Sequence, residues 1–460
     1  MGIINSNEKV DNLLGIKLNK LKEKGKILKR NVKLVEQLLN NLNEAKETHK
    51  YICLSCIYGA FLGDSIGSCC EFSEASNENH KLIFTQEKLF LPGEITDDSE
   101  MALSAAFAYI DSLNNDHSKI QDYLYFYFCI WRNSGPKDIG FATNDALALW
   151  QYEDIKDTKF NPEEVKQINW NTLANGSLMR ISTFIAFYYY SNLNKLYDII
   201  PRCFNDKNKD SENDDLNDEI CNLYKNIYKE LYKNVQITHP NYENGISCSV
   251  FTLMVLLGMI TKDAAKVYNF FKQISVSKKF LEIDKKLINF ARDCQNKYKL
   301  IISDIETNQP IDVYKQMGYY IHAFKLSIKY LYKYPDMGKN NDKNLYYKIM
   351  CDICDYGGDT DTNCAIVGTM IGPFIGYKNF PKELFSTFIN FIPFKRTQFI
   401  SAFAYIYVNY LEQKILKNEQ NITPSKNKEK DKGFNYIAYN MINEFLNNDY
   451  GSQKNQFLPK

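Results

Sequence analysis

The sequence has no excess of charge of either sign. Its 460 residues include 56 lysines and arginines and 55 aspartates and glutamates, which gives a formal net charge of +1 at pH 7. Proteins that bind nucleic acids through their overall charge are strongly basic. The charge balance therefore gives no general argument for nucleic-acid binding, and we see no clear nucleic-acid site in the sequence.

The sequence also lacks an apolar run long enough to cross a membrane. Its longest run, residues 247–260, is shorter than the length of about 18 residues that a spanning helix needs, so it predicts a buried core helix. No secretory signal opens the chain, and we expect a cytoplasmic protein whose 12 cysteines stay reduced. The pairs Cys53/Cys56 and Cys351/Cys354 lie in helix-like segments rather than in the short turns of structural zinc sites, which indicates buried small residues.

Strand-like alternation of apolar and polar residues is scarce as well. Long segments with apolar residues at helical spacing dominate instead, as in residues 101–113, 180–190 and 323–333. The fold class that this pattern predicts is all-α.

Composition divides the chain into three parts. We predict an amphipathic, basic N-terminal extension over residues 1–50, a main helical domain over residues 51–412, and a polar loop with a C-terminal helix over residues 413–460. Within the main domain, residues from about 204 to 219 are too polar to pack into a core and predict a surface insertion.

Two acids, Asp359 and Asp361, lie in the stretch YGGDTDTNCAIVGTMIGPFIG, which begins at Tyr356. Carboxylates one residue apart repel each other, and their burial is costly unless a cation compensates. The glycine pair before them lets the backbone turn sharply, and we expect a helix to begin just after Asp361.

A similar set of oxygens, on Thr96, Asp97 and Asp98, precedes the apolar helix at Met101. Taken alone, this set favours an ordinary helix N-cap. Together the two clusters supply four aspartates and several threonine hydroxyls, a hard-oxygen set that suits Mg²⁺, Mn²⁺ or Ca²⁺ and balances two divalent ions in charge. We expect the nearby Asp64 to organise the first helix rather than to react.

Two sets of glycines recur every four residues and predict helix faces without side chains. Such faces let another helix or a ligand approach closely, and glycine otherwise costs a helix about 1 kcal/mol relative to alanine. The sets are Gly59, Gly63 and Gly67, and Gly368, Gly372 and Gly376. A tight helix crossing alone would explain the glycines but not the acids beside them.

The stretch TLANGSLMRI, residues 172–181, predicts a loop with exposed backbone N–H groups followed by a helix. Such a loop can cradle a phosphate. As a single motif it is weak, because Asn-Gly marks many ordinary turns.

Taken in order, these motifs resemble those of the ADP-ribosylglycohydrolase family. The motifs are Gly-x-x-x-Gly-Asp-x-x-Gly-x-x-x-Glu, Thr-Asp-Asp-Ser-x-Met, Asn-Gly-Ser-x-Met-Arg, Thr-His-Pro and Gly-Gly-Asp-Thr-Asp-Thr-Asn-x-Ala-Ile-x-Gly. They span roughly residues 51–378, and the last motif is the most specific.

The resemblance implies a compact helical fold with two Mg²⁺ ions, or Mn²⁺, in a cleft. It implies hydrolysis of the bond between ADP-ribose and an acceptor, usually a protein side chain, so that the main domain is catalytic. The implied metal ligands are Thr96, Asp97, Asp98, Asp359, Asp361 and Thr362. Asp97 or Glu71, the acid that closes the first motif, is the candidate for proton transfer. The implied substrate contacts are Thr172, Asn175, Gly176 and Ser177 in the cradle, His239 near the adenosine, and Tyr319 at the adenine end.

The chain departs from the family pattern at two positions. Ala174 stands before Asn175 where many members have glycine, so one cradle N–H is aimed differently, and Ser99 stands where threonine is more usual. A protein that binds ADP-ribose without cutting it, or a structural protein on the same fold, would not need every metal ligand, so the intact set favours the hydrolase. The sequence leaves the acceptor open, and we expect a monomer.

The first residues, Met-Gly-Ile-Ile-Asn-Ser, match the pattern for N-myristoylation of Gly2. Between residues 17 and 33, eight basic residues accompany a single acid, Glu23, and such a basic segment is the usual second signal for membrane anchoring. Two interpretations stay open here: peripheral contact with a membrane, and a solvated helical arm that packs on the main domain.

Overall fold

The structure is a computed structural model of the chain. It describes residues 48–76, 90–133, 135–150, 158–203, 216–282, 284–339, 342–389 and 400–416. Almost all of the predicted N-terminal extension, including Gly2 and the basic segment, lies outside the described residues. Most of the predicted insertion and of the predicted C-terminal part lies outside them too.

The described residues form helices and turns, with no β-strand among them. The α-helices are α1 His49–Gly67, α2 Asp97–Asn114, α3 Ile120–Asn133, α4 Phe141–Ala148, α5 Pro162–Asn169, α6 Ser182–Ser191, α7 Leu193–Cys203, α8 Asp218–Val235, α9 Tyr242–Thr261, α10 Ala264–Val276, α11 Lys278–Leu281, α12 Ile288–Glu306, α13 Tyr320–Lys333, α14 Leu345–Tyr356, α15 Thr360–Ile375, α16 Lys382–Ile389 and α17 Ile400–Leu411. Short 3₁₀ helices span His117–Lys119, Asn175–Ser177 and Tyr377–Asn379, and a π-helix spans Glu412–Leu416. The all-α prediction is confirmed.

The chain divides into two units. One comprises Glu47–Phe388 and contains every acid and glycine motif of the sequence. The other comprises Met1–Lys46 and Ile389–Lys460, and its described part is Ile389, α17 and the π-helix that follows.

Helix α15 lies at the centre of the Glu47–Phe388 unit, with α1, α9, α13 and α14 packed around it. All 16 of its residues are buried. A helix that is apolar on every side belongs in such a position, because no face of it is suited to water. The acids at its N-terminus are therefore carried into the interior with it.

The glycine-bearing faces of α1 and α15 pack directly against each other. A Cβ atom added at Gly59 would lie 2.3 Å from the carbonyl oxygen of Gly368, and one added at Gly63 would lie 2.3 Å from that of Cys364. At Gly67 the nearest carbonyl oxygen of α15 would lie 2.2 Å away. Side chains cannot occupy such gaps, so only glycine lets the two backbones touch. Close packing is thus the physical reason for these glycines.

Two details of the prediction for α15 are wrong. The helix begins at Thr360, one residue before Asp361 rather than after it. Gly376 lies beyond the last helical residue with a φ of 76°, so it ends the helix instead of extending the glycine face. A positive φ is a backbone conformation that glycine adopts readily and that does not continue a right-handed helix.

Helix α9 is the buried core helix that the longest apolar run predicts. Its mean hydropathy of 1.7 would suit a membrane span, but 89% of that apolar window is buried inside the protein. At Gly258 of α9, the ring of Phe374 from α15 comes within 2.5 Å of the position that a Cβ would take. The prediction of a core helix here is confirmed.

Candidate metal centre

The two predicted acid clusters lie at the N-termini of α2 and α15. Thr96 is the N-cap of α2, and Asp97 and Asp98 occupy its first turn. Asp359 is the N-cap residue of α15, and Asp361 lies in its first turn. Helix N-termini favour negative charge, because their unpaired N–H groups and the helix dipole present positive charge there.

A direct hydrogen bond joins the two clusters. The Thr362 hydroxyl of α15 donates to Asp98 Oδ2 of α2 at 3.1 Å, across a separation of 264 residues in the chain. The Thr96 hydroxyl donates to the same oxygen at 3.3 Å. All six residues that the resemblance implies as metal ligands therefore meet at one place.

The carboxylates at this place form two overlapping groups. Within each group, one oxygen from each of three residues lies within 4.8 Å of the others. The groups are Glu71 with Asp359 and Asp361, and Asp97 with Asp138 and Asp361. Clusters of carboxylate oxygens are what hard divalent cations bind, and two groups that share one residue suit two neighbouring ions.

Asp138 is a member of this cluster that the sequence analysis missed. It is half-buried in the loop between α3 and α4, and its Oδ1 accepts a 2.8 Å hydrogen bond from the N–H of Ile139. The signal that could have found it is weak: an acid in the stretch GPKDIG, where turn residues are expected in any protein.

Burial controls the electrostatics of the cluster. Burial first, and then neighbouring carboxylates, raise the pKa values of Asp97, Asp98 and Asp361 well above the ordinary aspartate value. Asp98 Oδ1 is buried and has no hydrogen-bond partner among the described residues. Such a site is stabilised either by protons or by cations, because ionised carboxylates at this spacing repel each other.

Asp64 has a different role from these acids. Both of its carboxylate oxygens accept from the N–H of Thr96 at 3.1 Å, and its Oδ2 accepts from the N–H and the hydroxyl of Ser99 at 3.2 and 2.5 Å. Burial raises the pKa of Asp64 to about 7, although these hydrogen bonds act in the opposite direction. Asp64 thus organises the start of α2. The prediction that it organises its own helix, α1, is wrong. Ser99 donates two hydrogen bonds to Asp64. This agrees with the implied set of metal ligands, which does not include Ser99.

The turn after α1 brings Glu71 to the cluster. The N–H of Phe72 donates to the carbonyl of Gly358 at 2.8 Å, and the N–H of Gly358 donates to the carbonyl of Ser73 at 2.9 Å. Gly357 and Gly358 have φ values of 69° and 73°, and a Cβ at Gly357 would lie 2.2 Å from the oxygen of Ser73. The glycine pair is needed both for its left-handed turn and for this close approach.

The predicted cradle contacts the acid cluster through Asn175. Its side-chain Nδ2 donates to Asp359 Oδ2 at 2.6 Å. Its backbone N–H donates to the carbonyl of Gly318 at 2.8 Å, and Ala174 pairs with Tyr319 in an isolated β-bridge. The structure therefore brings the cradle, the Tyr319 segment and the acids together.

His239 packs against the cradle at Gly176. A Cβ at Gly176 would lie 2.8 Å from His239 Cε1, so a side chain there would displace the histidine ring. His239 Nδ1 lies 2.7 Å from the Thr238 hydroxyl oxygen. Burial, and then the charge of Arg180, lower the pKa of His239 to about 3, so the ring is neutral at physiological pH.

Arg180 is a second residue whose role the sequence analysis missed. It is 0% exposed, and its guanidinium donates to the carbonyl of Gly176 at 3.2 Å, to the Thr238 hydroxyl at 2.8 Å and to Asn234. Burial lowers the pKa of Arg180 to about 10. The sequence feature that could have predicted a buried, hydrogen-bonded arginine is its position as a lone charge inside the apolar stretch LMRISTFIAF.

Two of the predicted cradle residues have hydrogen-bond partners outside the acid cluster. The Ser177 hydroxyl lies 3.7 Å from the thiol of Cys248 in α9, and Ser177 is 1% exposed. The carbonyl of Thr172 accepts a 2.9 Å hydrogen bond from the side chain of Asn244. Contact of a ligand with Ser177 would thus involve its backbone.

The chain is similar to a family model, to a viral protein and to a solved structure. A family model described as ADP-ribosylglycohydrolase matches residues 46–211 and 215–403. The chain is 23% identical over 369 residues to a protein of Acanthamoeba polyphaga mimivirus named "Putative ADP-ribosyl glycohydrolase L543", and the match covers 76% of this chain and 93% of the viral protein. A solved structure titled "ADP-ribosylglycohydrolase-related protein complex" is 15% identical with a TM-score of 0.46, over 75% of this chain and 99% of that chain.

Proposed function

Because the chain belongs to the ADP-ribosylglycohydrolase family, whose model matches most of its length, we propose that it removes ADP-ribose from a protein side chain or a related acceptor. The proposal includes two divalent cations, Mg²⁺ or Mn²⁺, at the acid cluster. The observation that carries it is the 2.6 Å hydrogen bond from Asn175 to Asp359, which makes the cradle and the acids one continuous site.

The residues present fit divalent cations. Carboxylates and hydroxyls supply hard oxygen donors only, and the buried Asp98 Oδ1 has no partner within the described residues, so a cation would satisfy it. The proposed ligands are Thr96, Asp97, Asp98, Asp359, Asp361 and Thr362, with Glu71 and Asp138 close enough to take part. When bound, such ions hold the vicinal hydroxyls of a ribose and lower the pKa of a bound water.

The cradle would hold the diphosphate and the ribose of the substrate. The N–H of Asn175 is already bonded to Gly318, so the proposed backbone donors are Gly176 and Ser177. Since His239 is neutral, it can accept or donate a single hydrogen bond but adds no positive charge. The Tyr319 ring, with Lys297 Nζ 5.5 Å from its centre, is the proposed neighbour of the adenine.

Proton transfer is assigned to Asp97 or Glu71. In the absence of a cation, burial, followed by the repulsion of Asp138, raises the pKa of Asp97. Cleavage of the glycosidic bond passes through a cationic, oxocarbenium-like state, and the remaining carboxylates stabilise that charge. Asp138 lies in the same group as Asp97 and joins the candidates on geometry alone.

The test uses purified full-length protein and a panel of acceptors. Peptides that carry ADP-ribose on arginine or on serine, and ADP-ribose conjugates without protein, are incubated with and without Mg²⁺ or Mn²⁺, and released ADP-ribose is quantified by chromatography. We expect release from at least one acceptor, only with a cation, and none from an Asp361→Asn variant. A protein that binds ADP-ribose in calorimetry but releases it from no acceptor, with metal analysis showing an occupied site, would instead support the non-catalytic binding alternative.

A further inference from the structure

Three buried side chains next to the cradle are joined by short hydrogen bonds. They are Arg180, Thr238 and His239, which are 0%, 0% and 1% exposed. Arg180 Nη1 donates to the Thr238 hydroxyl oxygen at 2.8 Å, and that oxygen lies 2.7 Å from His239 Nδ1. The same nitrogen of Arg180 donates to the carbonyl of Gly176 in the cradle at 3.2 Å. A chain of hydrogen bonds therefore runs from a buried cation to the histidine ring beside the cradle.

The donors and acceptors available to Thr238 decide where the proton of His239 lies. A guanidinium only donates hydrogen bonds, so the Thr238 hydroxyl accepts from Arg180 and keeps its own proton. Among the described residues, the acceptor within reach of that proton is His239 Nδ1. If Nδ1 were protonated instead, a hydroxyl proton would be buried without an acceptor, which is costly. Nδ1 is therefore unprotonated.

The ring of His239 is neutral, so its single N–H proton lies on Nε2. Burial, and then the charge of Arg180, lower the pKa of His239 to about 3. In a neutral imidazole one nitrogen is a donor and the other an acceptor, and the hydrogen bond at one nitrogen sets the role of the other. Because Nδ1 accepts from Thr238, Nε2 is the donor.

His239 Nε2 borders the cradle and is available to a ligand. It has no hydrogen-bond partner among the described residues, and it is not one of the unpaired atoms that are shielded from solvent there. A Cβ at Gly176 would lie 3.1 Å from Nε2, so this nitrogen lies beside the proposed backbone donors of Gly176 and Ser177. An N–H group in that position suits an anionic oxygen, because hydrogen bonds to ionised acceptors are stronger than those between neutral groups.

We propose that His239 donates through its Nε2–H to an oxygen of the substrate diphosphate, and that Thr238 is the positioning residue that keeps the proton on Nε2. Arg180 in turn holds the Thr238 hydroxyl so that its proton is directed at Nδ1. The contact with the diphosphate rests on the proposed function, whereas the position of the proton does not.

Two substitutions at Thr238 separate its hydroxyl from its packing. Thr238→Val keeps the shape of the side chain and removes the hydroxyl, so Nδ1 loses its donor and either ring nitrogen can carry the proton. Thr238→Ser keeps the hydroxyl and loses only a methyl group. His239→Phe removes both ring nitrogens and identifies the signals of His239. Melting temperatures are compared first, because Thr238→Val also leaves a buried N–H of Arg180 without its hydroxyl partner. If Thr238→Val does not fold, the wild-type spectrum still decides where the proton lies, and His239→Phe still tests the contact.

The proton is located by NMR of full-length protein with isotope-labelled histidine nitrogens, since protonated and unprotonated ring nitrogens give well separated signals. We expect Nδ1 unprotonated and Nε2 protonated in the wild type and in Thr238→Ser, and a mixture of the two tautomers in Thr238→Val. His322 is an internal control: its Nε2 lies 2.8 Å from the carbonyl oxygen of Lys315, which only accepts, so its tautomer should be the same in every variant. A proton on Nδ1 in the wild type, or unchanged His239 signals in Thr238→Val, overturns the proposal.

Binding is measured on the same proteins by calorimetry with Mg²⁺ present, using ADP-ribose, ADP and adenosine. We expect Thr238→Val to weaken the binding of ADP-ribose and ADP about tenfold and His239→Phe to weaken it about 10- to 100-fold. Thr238→Ser should bind both as the wild type does, and the affinity of adenosine, which has no diphosphate, should not change in Thr238→Val.

Two results would overturn the diphosphate contact. They are equal weakening of all three ligands in Thr238→Val, and unchanged affinity for ADP-ribose in His239→Phe. Binding of ADP-ribose that responds to the variants as expected, in a protein that releases ADP-ribose from no acceptor, refutes the proposed hydrolysis and leaves the roles of Thr238 and His239 standing.

Discussion

Divalent cations should stabilise this fold more at about pH 7.5 than at about pH 5.5. Burial raises the pKa of Asp64 to about 7, and burial with neighbouring carboxylates raises those of Asp97, Asp98 and Asp361. A carboxyl with a raised pKa binds its proton more tightly in the folded state than in the unfolded state. The stability that it contributes is therefore present below its unfolded pKa and is lost as pH rises through its folded pKa. Without metal, the protein should lose stability between about pH 4 and about pH 7.

A cation reverses this loss because it binds the ionised carboxylates and displaces their protons. For each proton displaced, cation affinity rises about tenfold per pH unit, which corresponds to about 1.4 kcal/mol. Between about pH 5.5 and about pH 7.5, a single carboxyl that stays protonated without a cation and loses its proton when the cation binds adds about 2.7 kcal/mol of stabilisation. Melting temperatures move by about 2–4 °C per kcal/mol in domains of about 150–250 residues, so we expect an added shift of about 5 °C for the larger Glu47–Phe388 unit.

The assay is thermal unfolding, followed by circular dichroism, with excess Mg²⁺ or with a chelator at matched ionic strength. The quantity compared is the cation-dependent rise in melting temperature at the two pH values. Asp361→Asn should lose most of this rise, whereas Asp355→Asn, which belongs to neither carboxylate group, should keep it. Equal rises at the two pH values, or an undiminished rise in Asp361→Asn, would refute the reasoning.

Three further predictions address catalysis, packing and localisation. Asp361→Asn should lower the rate of ADP-ribose release by at least about 100-fold without unfolding the protein, whereas Asp355→Asn should keep the wild-type rate. An Asp361→Asn variant with an initial rate comparable to that of the wild type would refute the assignment of Asp361 as a metal ligand. Gly63→Ala should lower the melting temperature, because a clash of about 1–3 kcal/mol with the α15 backbone outweighs a helix-propensity gain of about 1 kcal/mol. Gly140→Ala, with open space at its Cβ, should change the melting temperature less, and equal shifts would contradict the packing argument. In cells with N-myristoyltransferase, Gly2→Ala should release the protein from membranes, and unchanged partitioning argues against the anchor.

The helices and the acid clusters were predictable because they are local in sequence. Apolar spacing gives the helices, and the repeat of Thr and Asp before an apolar run places oxygens at a helix N-terminus. The two glycine faces also predict that another helix or a ligand packs closely against each of them. The pattern does not predict that the two faces pack against each other. Which helix N-terminus meets which is decided by packing across 264 residues, as the bond from Thr362 to Asp98 illustrates.

What the sequence could not supply are contacts whose local pattern is ordinary. Asp138 lies in a loop where an acid is unremarkable, and it reaches Asp97 only because α3 packs against α2. Asp64 was expected to act on its own helix, yet its four hydrogen bonds serve the first turn of the next one. Arg180 has no charge partner in its sequence neighbourhood. Its hydrogen-bond partners are Asn234, in the last turn of α8, and Thr238, in the turn that follows that helix.

Hydrogen bonding divides the buried acids of this centre into two kinds. Both oxygens of Asp64 are occupied by N–H and hydroxyl donors of Thr96 and Ser99, so the protein itself meets the needs of that carboxylate. Asp98 is equally buried. Its Oδ2 accepts hydrogen bonds from the hydroxyls of Thr96 and Thr362, but its Oδ1 has no partner among the described residues. An unsatisfied buried oxygen costs about 1–3 kcal/mol, and more when it is charged, so a group that binds Asp98 Oδ1 would remove this cost. The centre therefore contains one acid that fixes the start of α2 and one acid with an oxygen that no donor of the described residues reaches. A cation bound at Asp98 would supply the partner that Thr96 and Thr362 do not provide for this oxygen.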